Sequence, residues 1–132
     1  KKSSPSKLVP VKSVEVGLNY KRLSQLFPFH VLVNQDLEII QYGSRIRSFL
    51  TLDPTREVYS MEDIFAFQSP PGLTWSWETV LSFSETAAEL FAMRLEGNIT
   101  FRGNVMILDP STDPGIDEPC ALFLISPVLY NL

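Results

Sequence analysis

Two stretches near the carboxyl end carry strand-like hydrophobic patterns, one alternating with period two and one apolar throughout. Ile99, Phe101, Gly103, Val105 and Ile107 alternate with Thr100, Arg102, Asn104 and Met106, which predicts a central strand. The stretch Cys120 to Pro127 is apolar on both sides: Leu122 and Leu124 point one way, and Ala121, Phe123 and Ile125 the other. Neither side of such a strand can face water, so the sheet that holds it needs cover on both faces.

The rest of the pattern supplies candidates for that cover. Asn19 is placed to cap a helix through about Leu26, with Leu18, Leu23, Leu26 and Phe27 as its apolar stripe and Pro28 as its stop. Phe29 to Asn34 and Leu37 to Gly43 are predicted strands, joined at Gln35-Asp36 in a tight hairpin. Arg45 to Leu50 has helical spacing and breaks at Asp53-Pro54. Ser60 with Asp63 three residues on resembles a capping box opening a segment with Ile64, Phe65 and Phe67, which Pro70-Pro71-Gly72 stops.

Thr74 is the predicted cap of the longest helix, whose Trp77, Val80, Leu81 and Ser84 share a face. From about Ala88 to Glu96 the pattern is strand-like, although Ala87 to Leu90 also suits a helix extension, and Gly97-Asn98 turns the chain. Residues 109 to 119, with three prolines and four acids, form a loop. Two strands, a run of helices and three further strands predict an α+β fold with a five-stranded antiparallel sheet. The middle helices cover one face. The amino-terminal helix is the nearest cover for the other, and a second copy of the chain the next.

Composition narrows the class. At 132 residues the chain is one domain of ordinary globular makeup, 45% hydrophobic and 20% charged, without an apolar run near membrane length. Charge is uneven: residues 1–22 hold six basic residues and one acid, whereas the remainder holds five basic residues and 14 acids. Residues 1–17, rich in Lys and Ser, read as a basic flexible linker, and 18–132 as the folded domain. The acidic body argues against nucleic-acid binding, which needs clustered cations. A single cysteine, Cys120, fits a reducing compartment and hence the cytoplasm.

Chemistry-bearing residues are sparse. His30, the one histidine, lies on the strand face opposite Phe29 and Val31, where it is either a haem ligand or a hydrogen-bonded core or interface residue. Cys120 reads as an apolar filler, without an assignable activating group. Asp109, Asp113, Asp117 and Glu118 lack the alternating calcium-ligand pattern with a central glycine. Trp75, Trp77 and Phe83 line either a cavity or plain core. No nucleophile, acid-base or zinc constellation is present, so no catalytic, cofactor or metal residue is assigned.

Three strings sharpen the picture. Leu26 to Val33 followed by Asp36-Leu37, Gln41 and Gly43, then Phe101 to Met106, then Leu122 to Leu132 together resemble the H-NOX-associated (H-NOXA, or HNOBA) domain, a PAS-like module. Such modules lie between a haem nitric-oxide-binding domain and the output of soluble guanylate cyclases, and occur in bacterial sensor histidine kinases. The resemblance implies a PAS-like fold, no catalysis of its own and dimeric signal relay. The expected partners are a haem H-NOX domain upstream, and a coiled coil and a kinase or cyclase downstream, in a homodimer or a heterodimer of related chains. Ser126-Pro127 separately matches a helix start, with Val128, Leu129 and Leu132 at helical spacing as the seed of a coiled coil. The interface candidates are Leu23, Leu26, Phe27, Phe29 and Val31, with Ile125, Val128 and Leu129 at the exit. The alternative is a PAS-type sensor holding haem, flavin or a small metabolite in its own cavity.

Overall fold

The computed structural model of the chain describes residues 19–46, 55–69, 72–84, 87–92 and 99–128, with side chains described except at 68, 69 and 87–92. In chain order these form α1 (Tyr20–Leu26), β1 (Val31–Val33), β2 (Ile39–Tyr42), α2 (Met61–Ile64), β3 (Phe65–Ser69), α3 (Trp77–Ser82), β4 (Ala87–Ala92), β5 (Ile99–Leu108) and β6 (Cys120–Pro127). The strands make one sheet in the order β2-β1-β6-β5-β4-β3, antiparallel throughout. The strand that is apolar on both sides, β6, lies between β1 and β5 in the interior of the sheet.

The α+β class stands, but the sheet has six strands where five were expected. The extra one is β3. Ser60 and Asp63 do form a capping box, with the Ser60 N–H donating to Asp63 Oδ2 at 2.9 Å, but α2 ends after four residues. Phe65 to Ser69 then pair with β4 instead of continuing the helix. A short apolar run carries no periodicity that separates strand from helix, and here an available edge decided the matter. The α3 cap is Ser76, whose Oγ accepts from the Thr79 N–H at 3.1 Å, and not Thr74. At six residues α3 is shorter than the seven-residue α1, so it is not the longest helix described.

Ser126 and Pro127 do not start a helix either. They continue β6, paired with Arg102 and Phe101. The Val128 N–H donates to the Thr100 carbonyl at 2.8 Å, which makes Val128–Thr100 the hydrogen-bonded pair of that ladder. The Pro127 nitrogen therefore points away from β5, beyond the pairing of β1 with Ala121–Phe123, and its missing N–H removes no ladder bond. The predicted linker 1–17, the helical spacing beyond Ile46, the turn at Gly97-Asn98 and the coiled-coil seed from Leu129 onward lie outside the described residues.

One face of the sheet forms the core. Val31, Val33, Phe101, Val105, Ala121, Phe123 and Ile125 are buried there against Met61, Ile64 and Val80. Each large side chain so buried contributes roughly 2–3 kcal/mol of transfer free energy. Trp75, Trp77 and Phe83 pack against this cluster as core. The Phe67 ring stacks on Phe83 at 5.3 Å and lies 4.2 Å from Trp75. The Trp75 Nε1–H donates to the Phe65 carbonyl at 2.8 Å, covering part of the outer edge at β3. At the opposite edge the β1–β2 register shifts between Leu32 and Val33, leaving Ile40 as an exposed bulge.

The β1–β2 turn holds a strained residue. Leu37 has φ 65°, a left-handed conformation that costs a branched residue on the order of 1–2 kcal/mol. Its side chain is buried in the core, and the turn is tied by Asn34 Oδ1, which accepts from the Asp36 and Glu38 N–H groups at 3.0 and 2.9 Å. Burial and the two side-chain hydrogen bonds together offset the strain.

Candidate functional site

The second face of the sheet is built from the alternate residues of the same strands. Gln41, Leu32, Leu122 and Met106 stand in register across β2, β1, β6 and β5, and Leu124 pairs with Asn104 beside them. Leu32, Leu122 and Leu124 are half-buried and Met106 is 50% exposed. This outer face is thus apolar along its middle and only partly covered. Ser84, Asn104, Met106 and Leu124 line a shallow depression that extends it.

Its cover at one corner is α1. The Asn19 Oδ1 accepts from the Arg22 N–H at 3.0 Å, an N-cap that fixes the start of a helix too short to persist alone. Lys21, Arg22 and Gln25 face solvent, while Ser24 is buried. The contact with the sheet centres on His30, which has the face parity of Leu32 and is fully buried. The Tyr20 ring meets it edge-on, with centroids 6.1 Å apart. His30 Nδ1 lies 2.9 Å from the Phe27 carbonyl and Nε2 lies 2.8 Å from Gln41 Oε1. The Phe27 carbonyl only accepts, so Nδ1 donates to it; Gln41 Oε1 is likewise an acceptor, so Nε2 donates to it or, with the amide turned over, accepts from its NH2.

The backbone closes the same junction. The His30 N–H also donates to the Phe27 carbonyl at 3.0 Å, the Gly43 N–H to the His30 carbonyl at 2.7 Å and the Arg45 N–H to the Pro28 carbonyl at 3.0 Å. A Cβ on Gly43 would fall on the Pro28 carbonyl, so this approach requires glycine. The C-terminal end of α1 is thereby stapled to both β1 and β2. The Ser24 Oγ, beneath α1, has no hydrogen-bond partner among the described residues.

The interface candidates divide accordingly. Leu26, 61% exposed, and Phe27 are at the surface, and Leu23 and Val128 are half-buried. Phe29, Val31 and Ile125 belong to the inner core and present no surface, which corrects their assignment to an interface. Their strand parity, opposite to that of Leu32 and Leu122, is the reason. Leu129 lies outside the described residues. Met106 and Leu32 were missed, yet the period-two pattern that puts Leu122 outward puts both on the same side.

The remaining candidates have structural roles. His30 has both ring nitrogens engaged, which is the hydrogen-bonded alternative and not that of a ligand with a free lone pair. The Cys120 Sγ–H donates to the Glu118 carbonyl at 3.3 Å, and burial, then the Glu118 charge, push its thiol pKa up, which disfavours a nucleophilic thiolate. In the acidic loop Asp109 Oδ1 accepts from the Ser111 N–H and hydroxyl, at 2.8 and 2.7 Å, and these bonds lower its pKa. Among the described residues no three His, Cys, Asp or Glu side chains are grouped to hold a metal ion, and no described helix is long and apolar enough to cross a membrane.

Comparison with curated proteins gave no match. A family model described as heme NO binding associated, HNOBA, matches residues 16–98. That span takes in α1, the staple, the β1–β2 hairpin and the middle of the chain, and stops before β5 and β6. With more than half of its length matched, the chain belongs to the HNOBA family.

Proposed function

We propose that this is a non-catalytic, PAS-like dimerisation and relay domain. It couples an upstream haem nitric-oxide-binding domain to a downstream histidine kinase or guanylate cyclase through a coiled coil, paired with an identical or related chain. Family membership supports the link to nitric-oxide signalling. The chain order of a hairpin, a middle of two short helices around β3, and a terminal group of antiparallel strands supports the PAS-like reading. The observation that carries the relay is the outer face: an apolar row of Leu32, Leu122 and Met106, half-covered in the protomer, beside a helix stapled to the first two strands.

A surface of that kind favours a second apolar surface, and symmetric pairing is the commonest solution. Leu23, Leu26 and Phe27 on α1, with Leu32, Met106, Leu122 and Leu124, form the proposed contact, and Val128 stands at its exit. Because α1 is fixed to β1 and β2, a shift of α1 in such a dimer would move the hairpin with it. An input favouring one of two packings would change their populations by its differential affinity.

Sedimentation equilibrium at tens of micromolar tests this reading. The wild-type chain is expected to be a dimer. Met106→Glu, at an exposed position, is expected to weaken association at least tenfold, corresponding to about 1.4 kcal/mol, while leaving thermal stability nearly unchanged. A wild-type monomer at that concentration, or a dimer indifferent to Met106→Glu and Leu26→Glu, overturns the proposed surface.

A further inference from the structure

On the inner face of the hairpin lies a cavity of about 110 Å³. Its walls are Val31 and Ile39 from the hairpin, Ile46 beyond it, and Ile64 and Phe65 at the α2–β3 junction. Four of these five are almost fully buried. Arg56, Glu57 and Tyr59 form the mouth, and Tyr42 of β2 completes the lining. Arg56 lies over the Tyr59 ring at 5.0 Å, with Nη2 donating to Asp63 Oδ2 at 2.6 Å and Nε to the Val58 carbonyl at 2.9 Å.

Native interiors rarely keep voids much larger than a water molecule, because unfilled space forfeits dispersion contacts. A partly open recess of this size, apolar at its base and polar at its mouth, is suited to a small apolar occupant. We propose that the cavity between the β1–β2 hairpin and the α2–β3 junction is a binding site for a compact, uncharged, mainly apolar molecule of about six non-hydrogen atoms or fewer. An apolar cavity of about 150 Å³ holds benzene or xenon, which sets that size class. Haem and flavin are excluded by volume, since sites for drug-sized ligands start at about 300 Å³. A charged ligand is disfavoured because the base of the recess is apolar, the Arg56 guanidinium is already paired with Asp63, and the Glu57 carboxylate stands exposed at the mouth, where water screens it.

Val31 begins the strand that follows the His30 staple, so an occupant presses on the element that holds α1. That consequence rests on the relay reading, whereas the binding itself does not. Titration of the full chain with benzene, followed through methyl NMR signals, tests the site. Saturable shifts confined to Val31, Ile39, Ile46 and Ile64, with a dissociation constant on the order of 1 mM, are expected. Xenon is expected to shift the same methyl groups, a readout that needs no variant. Ile39→Phe, which fills the space from a partly buried wall, is expected to abolish both responses. Absence of saturable shifts with either probe, or shifts scattered over the surface, overturns the site. Methyl shifts in a chain that sediments as a monomer retain the cavity and remove only its link to the relay.

Discussion

The two faces of β6 are almost equally apolar in composition, yet they live in different environments. Ala121, Phe123 and Ile125 are sealed beneath α2, Trp75 and α3, whereas Leu122 and Leu124 lie half-open beside Met106, with α1 covering only the corner at His30. The difference teaches that hydrophobicity marks what must be covered and does not say by what. The inner face is completed by the chain's own middle, which the hairpin and β5 enclose. Among the described residues the outer face has one seven-residue helix, too small to span six strands.

Substitutions can break this contrast or refine it. Phe123→Ala, at the inner centre with its ring 6.1 Å from Trp75, is expected to cost about 3–5 kcal/mol in urea unfolding, while Leu122→Ala one position away costs about 1 kcal/mol in the monomer. Equal losses would erase the distinction between the faces. Gly43→Ala, whose methyl meets the Pro28 carbonyl, is expected to destabilise by about 1–3 kcal/mol, and hydrogen exchange should show α1 released before the core strands.

Asp63 gives a smaller effect and a pH signature. Hydrogen bonds from Ser60, chiefly its backbone N–H, and the Arg56 charge hold its carboxyl below the ordinary aspartate value against a desolvation penalty. Its contribution is therefore complete above the ordinary aspartate value and is lost as pH falls through the lowered one. Asp63→Asn is expected to cost about 1 kcal/mol at neutral pH and to flatten that part of the acid-unfolding curve. Ser24→Ala should have the smallest effect, neutral or stabilising by less than about 1 kcal/mol, since it removes a buried hydroxyl without a hydrogen-bond partner among the described residues. A marked loss there would show that the hydroxyl has a role beneath α1.

The same contrast explains what the residues disclosed beforehand. The two sides of β6, the long alternating β5, the Asn19 cap and the Ser60–Asp63 box were legible because each rests on local periodicity or a side chain reaching its own backbone. The β3 strand was not, because Phe65 and Phe67 suit either period and the choice was made by β4, some two dozen residues later. Ser126-Pro127 has helix-start chemistry, but β5 extends far enough to pair with both. In the candidate surface the helical stripe points to Leu26 and Phe27, which are exposed. Phe29, Val31 and Ile125 were assigned to the wrong side, since apolar character alone does not tell which face a neighbouring layer will claim.

The two ends of the sheet carry a last implication. The Ile40 irregularity interrupts one border, and the indole of Trp75 occupies the Phe65 carbonyl at the other. Among the described residues neither border is the long, flat margin that lets strands add on one after another into filaments. Growth in that direction is discouraged, and association back to back through the broad surface would end at a finite assembly.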